Sequence, residues 1–180
     1  MSLENYKQEE IIKGCKRGKI ESQQKLYMHY YGYAMSICLR YSKNKETAEE
    51  VLNDSFLKVF TKIKKYDIAY SFKSWLRKII INTAIDHYRE NSKSAGSIDI
   101  NTQKLHNCTN KAVENLELED MLTLLRKLSD IHRMVFNLYE MEGYSHKEIA
   151  GLLGVAEGTS RSYLKRAKQK LRDLYNNYFK

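Results

Sequence analysis

The sequence contains no proline and only 8 glycines among its 180 residues. Proline breaks helix interiors and glycine weakens them, so this scarcity predicts a mostly helical chain. The three cysteines form no CxxC pair and cannot all be paired within one chain, which favours free thiols in a reducing cytosol. No apolar run follows the N-terminal MSLENYKQEE, and none approaches the length of a membrane span. We therefore expect a cytoplasmic protein that is not inserted in a membrane.

The sequence also lacks the motifs of common enzyme sites. It has no glycine-rich phosphate loop, no metal-ligand spacing, and no Ser or Cys nucleophile motif with a His. His106 and Cys108 are close in sequence, but two weak ligands in a polar stretch make a poor metal site. We expect no catalytic activity, no cofactor and no metal.

Positive charge is the main feature of the composition. There are 31 Lys and Arg against 22 Asp and Glu, for a net charge of +9 and a pI near 9.3. Such a balance suits a polyanionic partner, either nucleic acid or an acidic membrane surface. Hydrophobic residues make up 42% of the chain, enough to bury a core.

Apolar residues recur with helical spacing in residues 20–41, 46–65 and 71–89, and Ser71 is a candidate N-cap. The predicted core residues of these helices are Tyr27, Tyr30, Ala34, Ile37, Cys38 and Tyr41, then Ala48, Val51, Leu52, Ser55, Phe56, Val59, Phe60 and Ile63, then Phe72, Trp75, Leu76, Ile79, Ile80, Thr83 and Ala84. The periodicity stops in a polar stretch rich in Asn, Ser, Thr and Lys. This change predicts a flexible linker over residues 91–111 between domains at 1–90 and 112–180.

The second domain is predicted to contain four helices. An acidic helix covers residues 112–127, and Ser129 caps the next, which ends at Gly143. Ser145 and Glu148 form an S-x-x-E capping box for a short helix. The last helix starts near Glu157. The predicted fold class is therefore all-α, with two small helical domains joined by a flexible linker.

The end of the second domain reads as a helix-turn-helix, with the turn at Gly154. Residues 145–172 carry seven Lys or Arg against two Glu, mostly on the last helix. Residues three and four apart share a helix face, so its polar residues project together opposite the core. These candidate DNA-contacting residues, here called the recognition face, are Thr159, Arg161, Ser162, Lys165 and Arg166. The alternative is a solvated basic helix face, which is less compatible with the preceding capped helix and turn.

Two further surfaces lie in the first domain. The helix at 46–65 carries what we call the acidic face, which comprises Glu50, Asn53, Asp54 and Leu57; a solvated flank is the alternative. The helix at 71–89 is predicted to expose Lys73, Arg77, Lys78, Asn82, Asp86 and Arg89, and it follows the aromatic stretch KKYDIAYSF. Aromatic side chains stack on unpaired bases, so a basic helix beside them suits a melted strand. Tyr70 is the candidate stacking residue, whereas Trp75 falls in the core stripe.

Three segments resemble motifs of the bacterial sigma-70 family of transcription initiation factors. AEEVLNDSFLKVF resembles the helix that binds core RNA polymerase, SFKSWLRKIIINTAIDHYRE the helix that reads the −10 element, and EGYSHKEIAGLLGVAEGTSRSYLKRAKQKLR the helix-turn-helix that reads the −35 element. They occur in the family's order. The short linker and the missing acidic N-terminal extension resemble the extracytoplasmic-function (ECF) subgroup.

The resemblance implies a function in transcription initiation. The acidic face would dock on the clamp helices of the largest polymerase subunit, and the second domain would meet the flap of the second-largest subunit. Tyr70 and Asn82 would help to hold a flipped base of the −10 non-template strand, and the recognition face would read −35 duplex. An anti-sigma factor is a further expected partner.

Two other functions remain open at this point. The chain could be a stand-alone helix-turn-helix regulator whose first domain is a sensor or dimerisation module. A membrane-surface role is compatible with the charge, although the basic residues lie on two structured faces rather than one terminal amphipathic helix.

Overall fold

The part of the chain that the structure describes consists of helices joined by turns and short loops. The structure is a computed structural model that describes residues 3–94 and 116–178, with side chains for 8–92 and 119–177. All regular elements in these ranges are helices, which confirms the predicted all-α class. None of these helices is both long enough and apolar enough to cross a bilayer.

The chain divides into two compact units, Met1–Ile85 and Asp86–Lys180. The division falls inside a helix, Phe72–Ser94. The predicted linker, residues 91–111, begins within that helix and from residue 95 onwards lies outside the described residues. The domain boundaries at residues 90 and 112 therefore stay predictions.

Four helices start in the first unit, joined by short turns. They are α1 (Leu3–Lys16), α2 (Ile20–Tyr41), α3 (Lys45–Lys62), which continues as the 3₁₀ turn Ile63–Lys65, and α4 (Phe72–Ser94). The bounds of α2 are those predicted. Helix α1 was not predicted, because its apolar residues are concentrated in its second half, where Ile12 and Cys15 are buried. Helix α4 extends beyond the predicted end at residue 89.

The core of the first unit forms where α2 packs against α1 and α3. Most of the predicted core residues are buried, but Tyr27, Phe60 and Trp75 are half-buried at its edge. Ile81 and Ile85 are buried as well, although they lie off the predicted stripe. A run of three consecutive isoleucines cannot lie on one helix face, so α4 is buried on more than one side.

Side chains cap two of these helices. The backbone N–H of Thr47 donates to Asn44 Oδ1 at 2.9 Å at the start of α3. The N–H of Ser74 donates to Ser71 Oγ at 3.4 Å at the start of α4. Both bonds satisfy N–H groups that have no partner inside the helix, and the second agrees with the predicted role of Ser71.

The described part of the second unit contains four further helices. They are α5 (Leu116–Arg126), α6 (Asp130–Phe136), which continues as the π-helical turn Asn137–Met141, α7 (His146–Leu153) and α8 (Glu157–Tyr178). Ser129 precedes α6 as predicted, but its side chain makes no capping bond. Gly143 ends the π-helical turn with φ at 76°, and Tyr144 N donates to Leu138 O at 3.0 Å. This glycine termination was predicted.

The core of the second unit includes a buried arginine. Leu125, Leu128 and Ala167 form an apolar cluster between α5 and α8. Beside it, Arg133 is 2% exposed, forms an ion pair with Asp130 Oδ1 at 2.6 Å, and donates to Leu128 O at 3.4 Å. Burial lowers the pKa of Arg133, and Asp130 opposes this shift. The arginine thus holds the end of α5 against α6.

Candidate nucleic-acid and protein interfaces

The helix-turn-helix is present with the predicted caps. Ser145 N donates to Glu148 Oε2 at 2.8 Å, and Glu148 N donates to Ser145 Oγ at 3.3 Å. These two bonds form the predicted capping box. Gly154 ends α7 with φ at 68°, a left-handed backbone conformation that glycine adopts without steric cost. Local bonds therefore define both ends of α7 and the turn that leads to α8.

His146 connects three elements of this motif. Its Nδ1 lies 3.0 Å from the hydroxyl of Ser160 on α8, and its ring stacks on Tyr139 of the π-helical turn at 4.5 Å. Burial, followed by the charge of Arg161, lowers the pKa of His146. His146 is half-buried. Ser160 shares a helix face with Leu164 and Ala167, and its buried hydroxyl needs a hydrogen-bond partner, which His146 supplies.

The recognition face points away from this core. Arg161, Ser162, Lys165 and Arg166 are exposed and Thr159 is half-buried. Ser160, Leu164 and Ala167 on the opposite side of α8 are buried. The structure thus brings the five predicted residues together on one outer helix face.

The cations of α8 differ in whether an ion pair within the protein already holds them. Arg161 forms an ion pair with Glu157 one turn earlier, and Lys168 Nζ lies 2.6 Å from Glu140 Oε1. Two members of the recognition face have no ion pair with any described residue: Lys165 and Arg166. An exposed ion pair contributes about 0–1 kcal/mol, so Arg161 can exchange Glu157 for another anion at small cost.

The acidic face occupies the outer side of α3. Glu50 and Asn53 are exposed, Asp54 is half-buried, and Leu57 has 64% of its surface exposed. Val51, Leu52 and Phe56 on the other side of the helix are buried in the core. A largely exposed leucine between carboxylate and amide groups is suited to a partner that buries the leucine and binds the polar groups.

Two tyrosines of α2 extend this face. The Tyr27 hydroxyl lies 3.5 Å from Asn53 Oδ1. The centroid of the Tyr27 ring lies 4.6 Å from that of Phe56 and 5.7 Å from that of Tyr31. The apolar pattern of α2 predicts Tyr27 as a core residue and does not include Tyr31. Helical spacing identified the inward side of α2, but it does not show which residues at the edge of that stripe border α3.

The predicted polar residues of α4 do not form one face. Each residue turns the helix by about 100°, so Lys73 and Arg77 lie on a different side from Lys78, Asn82 and Arg89. Lys73 Nζ lies over the ring of Tyr33, 4.5 Å from its centroid. The expectation that all six are exposed is wrong for Arg77 and Asp86, which are half-buried. Around the helix, Arg77 lies beside Ile81 and Asp86 beside Ile79, and both isoleucines are buried.

A short exposed loop precedes α4. Residues 67–71, here called the aromatic loop, are all exposed, and Tyr70 has 73% of its surface exposed. Tyr66 and Phe72 on either side are buried. The Trp75 ring packs on Tyr66 at 5.0 Å and on Phe72 at 5.5 Å. Trp75 is therefore partly a core residue, as predicted, and Tyr70 is accessible for stacking.

The described residues contain no cluster of three potential metal ligands. Burial raises the pKa of Cys15 to about 11 and that of Cys38 to about 12. Both thiols are free, and they stay protonated at neutral pH, which makes them poor nucleophiles. His106 and Cys108 lie outside the described residues.

Two protein-family models match the chain. The model described as Sigma-70 region 2 matches residues 26–94, and the model described as Sigma-70, region 4 matches residues 118–171. The first match contains the acidic face and the aromatic loop, the second contains the helix-turn-helix, and together they cover about two thirds of the chain. The chain belongs to the sigma-70 family. The resemblance inferred from the three motifs is confirmed.

Relatives of this sigma factor are named as ECF members. It is 28% identical over 153 residues to the ECF RNA polymerase sigma factor SigM of Bacillus subtilis, covering 84% of this chain and 93% of SigM. It is 26% identical over 174 residues to SigW of the same organism, covering 89% of this chain and 92% of SigW. The solved sigma factor RpoE of Bartonella quintana, in complex with the anti-sigma factor NepR, is similar at 21% identity, with a TM-score of 0.52 over 87% of this chain and 98% of RpoE.

Proposed function

We propose that this sigma factor binds core RNA polymerase and directs it to promoters by reading −35 duplex and capturing unwound −10 DNA. The observation that carries the proposal is that one chain presents three exposed surfaces in the regions its family models match. These are the acidic face on α3, the aromatic loop before α4 and the recognition face on α8. The proposed domains are residues 1–90 and 112–180, joined by a flexible linker at 91–111.

The acidic face is the proposed contact with the clamp helices of the largest polymerase subunit. Leu57 supplies exposed apolar area beside the Asp54 carboxylate, and hot spots of protein interfaces combine such an apolar centre with a polar rim. The second domain is proposed to contact the flap of the second-largest subunit. An anti-sigma factor is a further proposed partner, since the solved relative RpoE is bound to one.

The aromatic loop and α4 form the proposed −10 surface. Tyr70 exposes most of its ring, and base–aromatic stacking contributes about 1–3 kcal/mol per base. Asn82 is exposed on the same side of α4 as Lys78 and Arg89, so an amide and two cations lie together. The amide can pair with the edge of an unstacked base while the cations bind phosphates. Lys73, Arg77 and Asp86 are proposed to contribute at the margin of this surface.

The recognition face is the proposed −35 reader. The major groove admits one helix, and α8 presents its cations on a single side. Lys165 and Arg166 are the first candidates for phosphates and base edges, because neither is held in an ion pair with a described residue. Arg161, Ser162 and Thr159 flank them. The chemistry of RNA synthesis is proposed to belong to the polymerase alone, in the cytoplasm.

Run-off transcription tests this function. Core polymerase, the chain, and the two together are incubated with a library of genomic fragments, and specific transcripts are expected only from the mixture. A stand-alone regulator would give none with core enzyme. Leu57→Asp is expected to remove the transcripts, whereas Ile20→Asp is the matched control, because Ile20 is also largely exposed, at 79% against 64%, but lies outside the acidic face. Absence of transcripts with the native chain would refute the function.

A further inference from the structure

The aromatic loop is held by bonds at its ends. Tyr66 and Phe72 are 4% and 2% exposed, while every residue between them is exposed. Inside the loop, Ala69 N donates to Asp67 Oδ1 at 3.0 Å and Tyr70 N donates to Asp67 O at 3.2 Å. These two bonds shape a turn but do not attach it to the helices.

Besides the bonds that Ser71 forms with the start of α4, two hydrogen bonds connect the loop and the adjacent Tyr66 to the fold. Lys16 Nζ, at the end of α1, donates to the backbone carbonyl of Tyr66 at 2.6 Å, and it lies 5.8 Å from the centroid of the Tyr66 ring. The Tyr66 hydroxyl in turn donates to the backbone carbonyl of Tyr70. These two bonds link α1, through Tyr66, to Tyr70, which carries the aromatic ring of the loop.

The Tyr66 side chain is itself fixed and stays a donor. Its ring packs on Phe72 at 5.3 Å and on Trp75 at 5.0 Å. Burial, followed by the charge of Asp67, raises the pKa of Tyr66, so the hydroxyl keeps its proton at neutral pH. Fixing the loop before DNA arrives removes part of the ordering entropy that binding would otherwise cost.

We infer that Lys16 and Tyr66 are positioning residues that hold Tyr70 ready to receive an unpaired base of the −10 strand. The inference rests on the proposed function. A lysine at a helix C-terminus commonly binds the last carbonyls of its own helix, but Lys16 donates instead to a residue fifty positions later. Helix α1 thereby takes part in DNA opening although it need not touch DNA.

Open-complex formation by the holoenzyme tests the inference. The probe is a promoter fragment recovered from the run-off library, with 2-aminopurine placed in the −10 non-template strand to report unstacking. Tyr66→Phe keeps the ring and removes the donor, and Lys16→Met keeps the stem and removes the ammonium. Each is expected to slow opening by about 2- to 10-fold, the effect of one hydrogen bond. Lys16→Arg, which keeps a donor, is expected to restore the native rate.

A double-mutant cycle separates positioning from general stability. In the Tyr70→Ala background the ring is gone, so Tyr66→Phe is expected to add no further loss. Equal rates for native, Tyr66→Phe and Lys16→Met chains, or fully additive losses in the cycle, would overturn the inference. Loss of folding in Tyr66→Phe, measured by thermal unfolding, would also overturn it, because the hydroxyl would then be structural. If the native holoenzyme opens no promoter at all, the proposed function itself fails.

Discussion

The aromatic loop and the recognition face present their side chains in opposite ways. The loop exposes five consecutive residues on irregular backbone that is fixed at its buried ends. Helix α8 exposes its residues on one side of a continuous helix whose other side is buried. An unpaired base can be taken between side chains from several directions, whereas a duplex groove demands a fixed spacing of donors. The comparison indicates that single-strand capture and duplex reading require different local architecture, and the chain supplies both.

The largest effect is expected from a variant that no longer binds core polymerase, because the holoenzyme then forms neither the single-strand contact nor the duplex contact. Asp54→Lys reverses a half-buried charge in the acidic face, and we expect the affinity for core polymerase to fall by about 100-fold or more. Titration of labelled chain with core enzyme measures the loss, and thermal unfolding is expected to be unchanged.

Glu21→Lys on α2 is the control for this charge reversal. It makes the same change on an exposed residue outside the acidic face, and native affinity for core enzyme is expected. If Asp54→Lys bound core polymerase with native affinity, the acidic face would not be the polymerase-binding surface.

The next effect is confined to duplex reading. Replacing Lys165 and Arg166 together by Ala removes the two cations of the recognition face that form no ion pair with a described residue. A base contact by Arg contributes about 1–3 kcal/mol of discrimination, and each lost phosphate contact lowers the salt slope by about 0.9. We expect −35 duplex affinity of the holoenzyme to fall by about 10-fold or more.

Lys170→Ala is the control further along the same helix, since it removes an exposed cation one turn beyond Arg166. If the control lost as much affinity for −35 duplex as the double variant, α8 would attract DNA only through its overall positive charge and would not read the duplex.

A smaller effect is expected for opening. Asn82→Ala removes an exposed amide from α4, and we expect a loss of about 2- to 10-fold in open-complex formation, the effect of one hydrogen bond to a base. Closed-complex binding should stay native, since it depends on duplex contacts. Gel-shift and permanganate footprinting separate the two steps. Equal losses in both steps would argue against a base-capturing role.

The smallest effect is a pH dependence in the second unit. The folded chain lowers the pKa of His146, so the unfolded chain binds the proton more readily. The stability that His146 contributes is therefore present above a pH of about 6.5 and is lost as the pH falls through the lowered folded-state pKa.

Thermal unfolding at two pH values measures this contribution. Between pH of about 7.5 and about 5.5, the native chain is expected to lose more stability than His146→Gln, whose amide hydrogen-bonds but does not titrate. The same loss in His146→Gln as in the native chain would contradict this account.

Much of the fold was predictable because local signals and burial agree. Helix α2 has the predicted bounds, and the capping box at Ser145 and the turn at Gly154 are where the sequence placed them. In each case the residue types that favour the local structure also form the boundary of the apolar pattern.

The remaining features depend on contacts that periodicity does not encode. The apolar pattern of this segment predicts one continuous α-helix, but residues Asn137–Met141 form a π-helical turn, whose hydrogen bonds join residues five positions apart. The bonds from Lys16 to Tyr66 and from His146 to Ser160 join residues 50 and 14 positions apart. Similarly, the burial of Ile81 and Ile85 depends on which residues pack around α4. The set of α4 residues that was predicted to be exposed was therefore too broad.

Binding of the holoenzyme to two matched probes most directly tests whether the aromatic loop captures unpaired DNA while the recognition face reads duplex DNA. One probe carries a duplex −35 element with the −10 strand unpaired, and the other carries the same sequences fully paired. The account predicts that Tyr70→Ala weakens binding to the first probe only, while the Lys165 and Arg166 double variant weakens binding to both equally. If Tyr70→Ala weakened the fully paired probe as much as the unpaired one, the proposed capture of single-stranded DNA by the first unit would be wrong.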